Sequence, residues 1–250
     1  MKIEDRHSQI LSQLVENRQV SVGEISGILG VSQVTIRSDL NSLAEQGLIQ
    51  RSHGGASPAF HPSIMGRRGH MKEKKNLIAK AAADMIKNGD TIMIDAGTTT
   101  ALIAKFLVGK RDIRVVTNNL LILPYLRTLP SIHLTIVGGE YSQQTESLVG
   151  PMALKDLEEF NVSLAFIGTD GFSIEKGTST FIVDGAEVVR KIHQQASKTI
   201  LLFDSSKVNK RGFARILPAE SHHHIISDSG LNKDIQDKIK KLNIELTLVN

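Results

Sequence analysis

The sequence contains no cysteine. A disulfide framework, a thiolate metal site and a thiol nucleophile are therefore excluded, and the usage fits a reducing compartment. Long apolar runs are missing as well. Stretches such as Ile200–Phe203 fall far short of the roughly 20 residues that a bilayer-spanning helix needs, so no membrane partner is expected. Acidic and polar residues follow Met1 in place of an apolar core with a small-residue cleavage site, so no secretory signal is expected and a cytoplasmic location is. Excess charge of one sign is slight. The 30 Lys and Arg against 26 Asp and Glu leave +4, which permits nucleic-acid binding and argues for it only weakly. What is present is a 250-residue chain, 40% apolar and 22% charged, long enough for two unequal domains with separate cores.

The apolar pattern divides the chain in three. Ile10, Leu11 and Leu14 recur at helical spacing within 4–16. Ser21 with Glu24 has capping-box spacing for a second helix that carries Ile25, Ile28 and Leu29 and stops at Gly30. Ser32 opens a third helix lined by Ile36, Leu40 and Leu43. Residues 48–51 then read as a strand turning at Gly54-Gly55. Three helices and a small hairpin make a winged helix-turn-helix over 1–57. Pro58, Pro62, Gly66 and Gly69, with Arg67-Arg68, predict a linker over 58–72 in which few residues pack. Over 73–250, strands near 91–95, 113–117, 133–137, 163–168, 199–203, 223–227 and 245–249 alternate with helices near 99–108, 119–128, 151–158, 185–196 and 231–241. That alternation predicts an α/β domain with a mainly parallel sheet.

In a helix-turn-helix the second helix enters the major groove with its N-terminal residues near base edges. Ser32, Gln33, Thr35, Arg37 and Ser38 are the candidates there, since hydroxyl, amide and guanidinium groups donate to phosphates and base acceptors. Arg51 and His53 on the wing would lie near the DNA backbone. Other readings stand beside these: Ser32 as a helix cap, Arg37 as an ion-pair partner of Asp39 or of an acid on the first helix, Arg51 and His53 as ordinary surface.

In the second domain, Asp95-Ala96-Gly97-Thr98-Thr99-Thr100 follows a strand and opens a helix. Gly97 admits close approach of a ligand, the helix start offers N–H groups to an anion, and Thr98, Thr99 and Thr100 add hydroxyls. The spacing is neither that of a Walker A loop nor that of a dinucleotide loop, so a small phosphate ester suits it better than a nucleotide. The alternative is a plain strand-to-helix turn. Asn118, Gly139, Asp170 and Lys207 sit where neighbouring strands should end, on the edge at which parallel sheets bind ligands. Asp170 can accept from hydroxyls and Lys207 can neutralise phosphate, or remain a solvated loop lysine; Gly138 and Gly139 have at most a shaping role.

Arg6, Ile10, Leu14, Ser32-x-x-Thr35-Ile36-Arg37-x-Asp39-Leu40 and Arg51-x-His53-Gly54-Gly55-Ala56 resemble the DeoR family of sugar-metabolism repressors. Lys75, Asp95-x-Gly97-Thr98-Thr99, Val116-Thr117-Asn118, Gly138-Gly139, Phe166-Ile167-Gly168-Thr169-Asp170-Gly171, Gly177-x-x-Thr180 and Asp204-Ser205-Ser206-Lys207 extend the resemblance over nearly the whole chain. It departs at Ser38, where the family usually has a basic or amide side chain. The resemblance implies a C-terminal fold similar to ribose-5-phosphate isomerase, an operator in double-stranded DNA, and repression relieved by a phosphorylated sugar or sugar alcohol. The wording at 166–171 and 204–207 looks closest to regulators of hexitol and amino-sugar uptake. An activator of the same pathway is the alternative within that role. One reading module covers little DNA, so a homo-oligomer, dimer or tetramer, is expected.

An enzyme is the alternative from another class. The isomerases place an acidic pair after an Asp-Gly turn. Here Asp170-Gly171 is followed by Phe172-Ser173, with no carboxylate before Glu175, although Glu175 or Glu187 could substitute. Binding without turnover, no catalytic residue and no cofactor are expected. His222-His223-His224 has the composition of a metal tract, but strand alternation splits the three between two faces, so entry to an edge strand is expected there and no metal.

Overall fold

Ile10 and Leu14, one turn apart and fully buried, fix the inward face of α1 (Ile3–Asn17). The chain then adds a short strand, β1 (Val20–Ser21), before α2 (Val22–Leu29). The capping box at the start of α2 forms as its spacing predicts. Ser21 N donates to Glu24 Oε2 at 2.7 Å, and Glu24 N donates to Ser21 Oγ at 3.2 Å. Gly30 ends α2, and α3 (Gln33–Glu45) follows after two residues. Ile25, Ile36, Leu40 and Leu43 close with α1 into one core. The wing is β2 (Ile49–Ser52) and β3 (Gly55–Pro58), with β3 in the middle of a three-stranded sheet between β1 and β2. Gly55 is required at that crossing: a Cβ there would stand 2.4 Å from the Val20 carbonyl oxygen.

The structure, a computed structural model, describes residues 3–17 and 19–250 and divides into two compact units between His70 and Met71. The unpacked linker expected over 58–72 is corrected. Residues Pro62–Gly69 form α4, which packs on α1, with Ile64 and Met65 buried and Met65 part of the first unit's core. The residues read as breakers have helical uses: Pro62 takes the first helical position, where its missing N–H costs nothing, and His61 caps Ser63 N at 3.2 Å.

The second unit begins with α5 (Lys72–Met85) and then builds a sheet from β4 (Thr91–Ile94), β5 (Ile113–Thr117) and β6 (Ile132–Ile136). Short 3₁₀ turns, Thr100–Phe106 and Leu120–Ile122, the latter running into α6 (Leu123–Leu126), make the connections. A hairpin of β7 (Glu140–Ser142) and β8 (Ser147–Val149) leads to α7 (Pro151–Glu158) and β9 (Val162–Ile167). Then come β10 (Gly171–Ser173), β11 (Gly177–Thr180), α8 (Val183–Gln194), β12 (Ala196–Leu202) and β13 (Ala214–Arg215). The chain closes with β14 (His224–Asp228), α9 (Lys233–Lys241) and β15 (Glu245–Val249).

The main sheet has the order β15-β14-β12-β9-β4-β5-β6, with every neighbouring pair parallel. Its central strands are apolar at consecutive positions because both faces are covered. Ile92, Ile94, Val115, Phe166 and Ile200 pack in one core with residues of α5; Met93, Val116, Ala165, Ile167 and Leu201 pack in another with residues of α7, α8 and α9. Two antiparallel pieces lie outside the sequence expectation: the β7–β8 hairpin and the sheet β10-β11-β13. The α-helix expected over 99–108 is a 3₁₀ turn, its bonds closing at i→i+3 as in Leu102 N to Thr99 O, 3.2 Å. The edge-strand reading of the histidine run is also corrected, since β14 pairs with β12 on one side and β15 on the other. His222 precedes β14 and is buried, His223 Nδ1 accepts from Thr199 N at 3.1 Å, and His224 Nε2 meets Thr247 Oγ1 at 2.8 Å. Among the described residues no helix is long and apolar enough to cross a membrane.

Candidate functional sites

The third helix has two clean faces. Ile36, Asp39, Leu40 and Leu43 are buried, while Val34, Arg37, Ser38 and Asn41 are exposed at the same i, i+3, i+4, i+7 spacing on the other side. Ser32 caps the helix, its Oγ accepting from Thr35 N at 3.2 Å and lying 2.9 Å from Thr35 Oγ1. Both Ser32 and Gln33 are exposed, and Thr35 is half-buried. The capping role is therefore observed, and it leaves Ser32 at the surface.

Asp39 shows how the helix is held. Its carboxylate is almost wholly buried and receives Arg6 Nε at 2.5 Å and Arg6 Nη2 at 2.9 Å, with His7 Nε2 at 3.3 Å. The Arg6 guanidinium holds the Asp39 carboxyl below its ordinary range, against the opposing effect of burial. This pair ties α3 to α1. Asp39 is thus taken by Arg6, and among the described residues Arg37 makes no salt bridge and is exposed. Arg51 on β2 and His53 at the tip are exposed on the wing. Val34 and Asn41 were absent from the sequence-derived set; counting outward from Arg37 by three and four residues would have found both.

At the carboxyl edge of the main sheet, β4, β5 and β9 bring Asp95, Asn118 and Asp170 to adjacent strand ends. Asp95 is buried, with Oδ2 accepting from Gly168 N at 3.4 Å. Burial pushes its carboxyl up to about 7, only partly offset by backbone N–H groups of Gly168 and Ala96, with the Asp170 charge adding to the rise. Thr98 and Thr99 are half-buried, and Lys75 Nζ, itself buried on α5, reaches Thr98 Oγ1 at 3.5 Å. That gives the loop a cation beside a hydroxyl, the pairing that suits a phosphate.

Other expected ligand contacts serve the loop itself. Thr100 is fully buried, and its hydroxyl donates to the carbonyls of Asp95 (2.7 Å) and Gly97 (3.1 Å), which corrects the expectation that it is turned to a ligand. Asn119, missing from the expected set, braces the same turn: Nδ2 donates to Asp95 O at 3.1 Å and Gly97 O at 3.2 Å, and Oδ1 accepts from Leu121 N at 3.0 Å. Its neighbour Asn118 donates to Leu148 O at 3.2 Å, while Asn118 Oδ1 is buried and has no hydrogen-bond partner among the described residues. Asp170 Oδ2 accepts from Thr180 Oγ1 at 2.8 Å and Phe181 N at 3.3 Å, anchoring β11. Gly139 shapes the backbone: at φ 136° its Cβ would fall 2.5 Å from Val149 O. Lys207 follows β12, one strand beyond β9, and is half-buried. Neither stand-in for the missing second acid faces the edge from a buried position; Glu175 lies exposed in the β10–β11 turn and Glu187 exposed on α8.

Comparison with known proteins agrees with both halves. A family model described as a DeoR-like helix-turn-helix domain matches residues 6–59, and one described as the DeoR C terminal sensor domain matches 70–229. The putative aga operon transcriptional repressor of Escherichia coli O157:H7 is 32% identical over 251 residues, covering 98% of this chain and 93% of that protein. The HTH-type transcriptional regulator GolR of Listeria innocua is 32% identical over 240 residues, covering 94% of each. Among solved structures, ribose 5-phosphate isomerase from Plasmodium falciparum aligns with a TM-score of 0.41 at 18% identity, over 57% of this chain and 55% of that one; a likeness at that level does not carry activity from one chain to the other. With a helix-turn-helix whose outer face is free and a sensor-domain match that spans most of the remaining chain, the protein belongs to the DeoR family of transcriptional regulators.

Proposed function

We propose that the chain is a sequence-specific repressor of an operon for carbohydrate uptake or catabolism, working in the cytoplasm and released by a phosphorylated sugar or sugar alcohol. The observation that carries the DNA half is the outward face of α3. Arg37 and Ser38 stand exposed beside Ser32 and Gln33, while the buried face and the Arg6–Asp39 pair fix the helix beneath them. Arg37 contacts guanine acceptors or phosphate, Ser32, Gln33, Thr35 and Ser38 add hydrogen bonds, and Arg51 and His53 meet the backbone from the wing. A single module of this size buries little DNA, so the protein acts as a homo-oligomer, dimer or tetramer, on paired half-sites.

The ligand half rests on the loop after β4. Thr98 and Thr99 with Lys75 receive the phosphate, Gly97 allows close approach, and Asp95, Asn118, Asp170 and Lys207 line the same edge for the hydroxylated remainder. Gly139 shapes that edge and Thr100 locks its backbone. No turnover is assigned, because the second acid of an isomerase pair has no counterpart after Asp170-Gly171. The relatives' names support the regulatory reading: one is a putative repressor of the aga operon, and another, from Agrobacterium fabrum, is the transcriptional repressor AccR.

The test is a fluorescence-anisotropy titration on a duplex selected from random DNA by the full chain. Phosphorylated hexoses, hexitols and amino sugars are then added in turn. At least one should weaken DNA binding, and linkage requires the DNA to weaken that ligand's binding by the same factor. A panel that leaves DNA affinity unchanged overturns the sensor reading.

A further inference from the structure

Val34 stands outside the core of the first unit. It occupies the second position of α3, is 77% exposed, and lies opposite the buried set Ile36, Leu40 and Leu43. A β-branched apolar residue gains nothing at an exposed helix start, where polar residues serve better. Its neighbours in sequence, Ser32, Gln33 and Thr35, are polar, and so are the residues on its own face one and two turns on, Arg37, Ser38 and Asn41. It is therefore an isolated apolar contact within a hydrogen-bonding stripe, at the end of the helix that comes nearest to the bases. In the major groove one base-edge group is apolar, the C5 methyl of thymine.

We infer that Val34 is a specificity-determining residue that reads a thymine methyl in each operator half-site. This rests on the DNA-reading role proposed for α3. Two γ-methyl groups on a rotamer-restricted side chain present a fixed apolar surface, and enclosing one methyl between it and the base removes that methyl from water. Among its polar neighbours only Thr35 also carries a methyl group, and Thr35 is half-buried with its hydroxyl 2.9 Å from Ser32 Oγ; Ser32, Gln33 and Arg37 hydrogen-bond to acceptors and donors that deoxyuridine shares with thymidine.

The experiment uses the full chain throughout. Binding sites are selected from random duplex DNA with the wild type and with Val34→Ala, and each thymine in the wild-type site is then replaced singly by deoxyuridine, which removes only the methyl. One half-site thymine should lose about fourfold in affinity on replacement by deoxyuridine in the wild type, the value of one buried methyl group. The same replacement should be without effect in Val34→Ala, and the variant's selected site should lose its thymine preference at that position alone. Val34→Ala should melt at or slightly above the wild-type temperature, because the side chain is mostly exposed, lies outside the core cluster, and alanine is the better helix former. A wild-type site indifferent to every thymine methyl, or a variant that keeps the full penalty, overturns this inference and leaves the repressor reading standing. Failure of the wild type to select any site overturns both.

Discussion

The two units treat their polar motif residues in opposite ways. On α3 Ser32, Gln33, Arg37 and Ser38 are exposed and Thr35 is half-buried, and among the described residues Arg37 makes no salt bridge. At the strand edge of the second unit, several groups expected to hold a ligand are turned inward: Thr100 bonds the carbonyls of Asp95 and Gly97, Asn118 donates to Leu148 O, and Asp170 anchors β11, while Asn119, outside that set, braces the same turn. A duplex is a large, rigid polyanion that meets a surface, so the reading groups can wait in water. A small metabolite must be enclosed, and the loops that enclose it need internal hydrogen bonds to hold their shape before it arrives. Polar substitutions should therefore cost binding and little stability in the first unit, and stability first in the second.

The largest effect should come from Asp95. Its folded carboxyl titrates near 7 while an unfolded aspartate titrates near 4, so the folded state retains a proton that the unfolded state releases. The associated stability is fully present below about pH 4, declines as the pH rises, and is lost above about 7; the span is on the order of a few kcal/mol. Asp95→Asn should flatten that decline in denaturant unfolding followed from pH 4 to 8. A wild type equally stable across the range would show that the carboxyl is not held in its neutral form. Next is Asn119→Ala, which removes the donor to two loop carbonyls and the acceptor for Leu121 N in a fully buried position. About 1–3 kcal/mol of stability should be lost, together with the ligand response, while the helix-turn-helix of the same protein still binds DNA. Arg37→Ala is the converse: DNA affinity should fall by roughly 10- to 100-fold, with ligand affinity and melting temperature held. If Arg37→Ala unfolds the first unit, the contrast between the two regions fails.

Much of this was legible in the sequence, for reasons that differ between the units. The first unit is written in local signals: Ser21 with Glu24, Gly30, Ser32, and an apolar set at helical spacing, all acting within a few residues of one another. The strands of the second unit were legible because burial on both faces makes them continuous apolar runs. What escaped depended on partners distant in the chain. The Arg6–Asp39 pair spans 33 residues, and the bracing role of Asn119 depends on carbonyls 22 and 24 residues away, so local sequence points to Asn118 at the strand end and not to its neighbour. α4 was read as linker because proline and glycine were counted as breakers, whereas Met65 finds its partners in a core built by earlier helices. Thr100 had the right residue type in the right loop; only the fold shows that its hydroxyl faces its own backbone.

The smallest predicted effect sharpens the comparison from within the first unit. Ser21→Ala removes the cap of α2, leaving Glu24 N without its side-chain acceptor. An N-cap loss of this kind costs about 1 kcal/mol, read as a modest fall in melting temperature. Ser21 also belongs to β1, whose register with β3 (Ser21 opposite Gly55) places the base of the wing. The backbone pairing survives the substitution, so α3 and the wing should keep their geometry and DNA affinity should stay within about twofold once the protein is fully folded. If instead Ser21→Ala costs DNA binding as much as Arg37→Ala does, the hydrogen-bonded scaffold and the reading face of the first unit are not separable. The free surface on α3 would then depend on its supports as closely as the loop after β4 depends on Asn119.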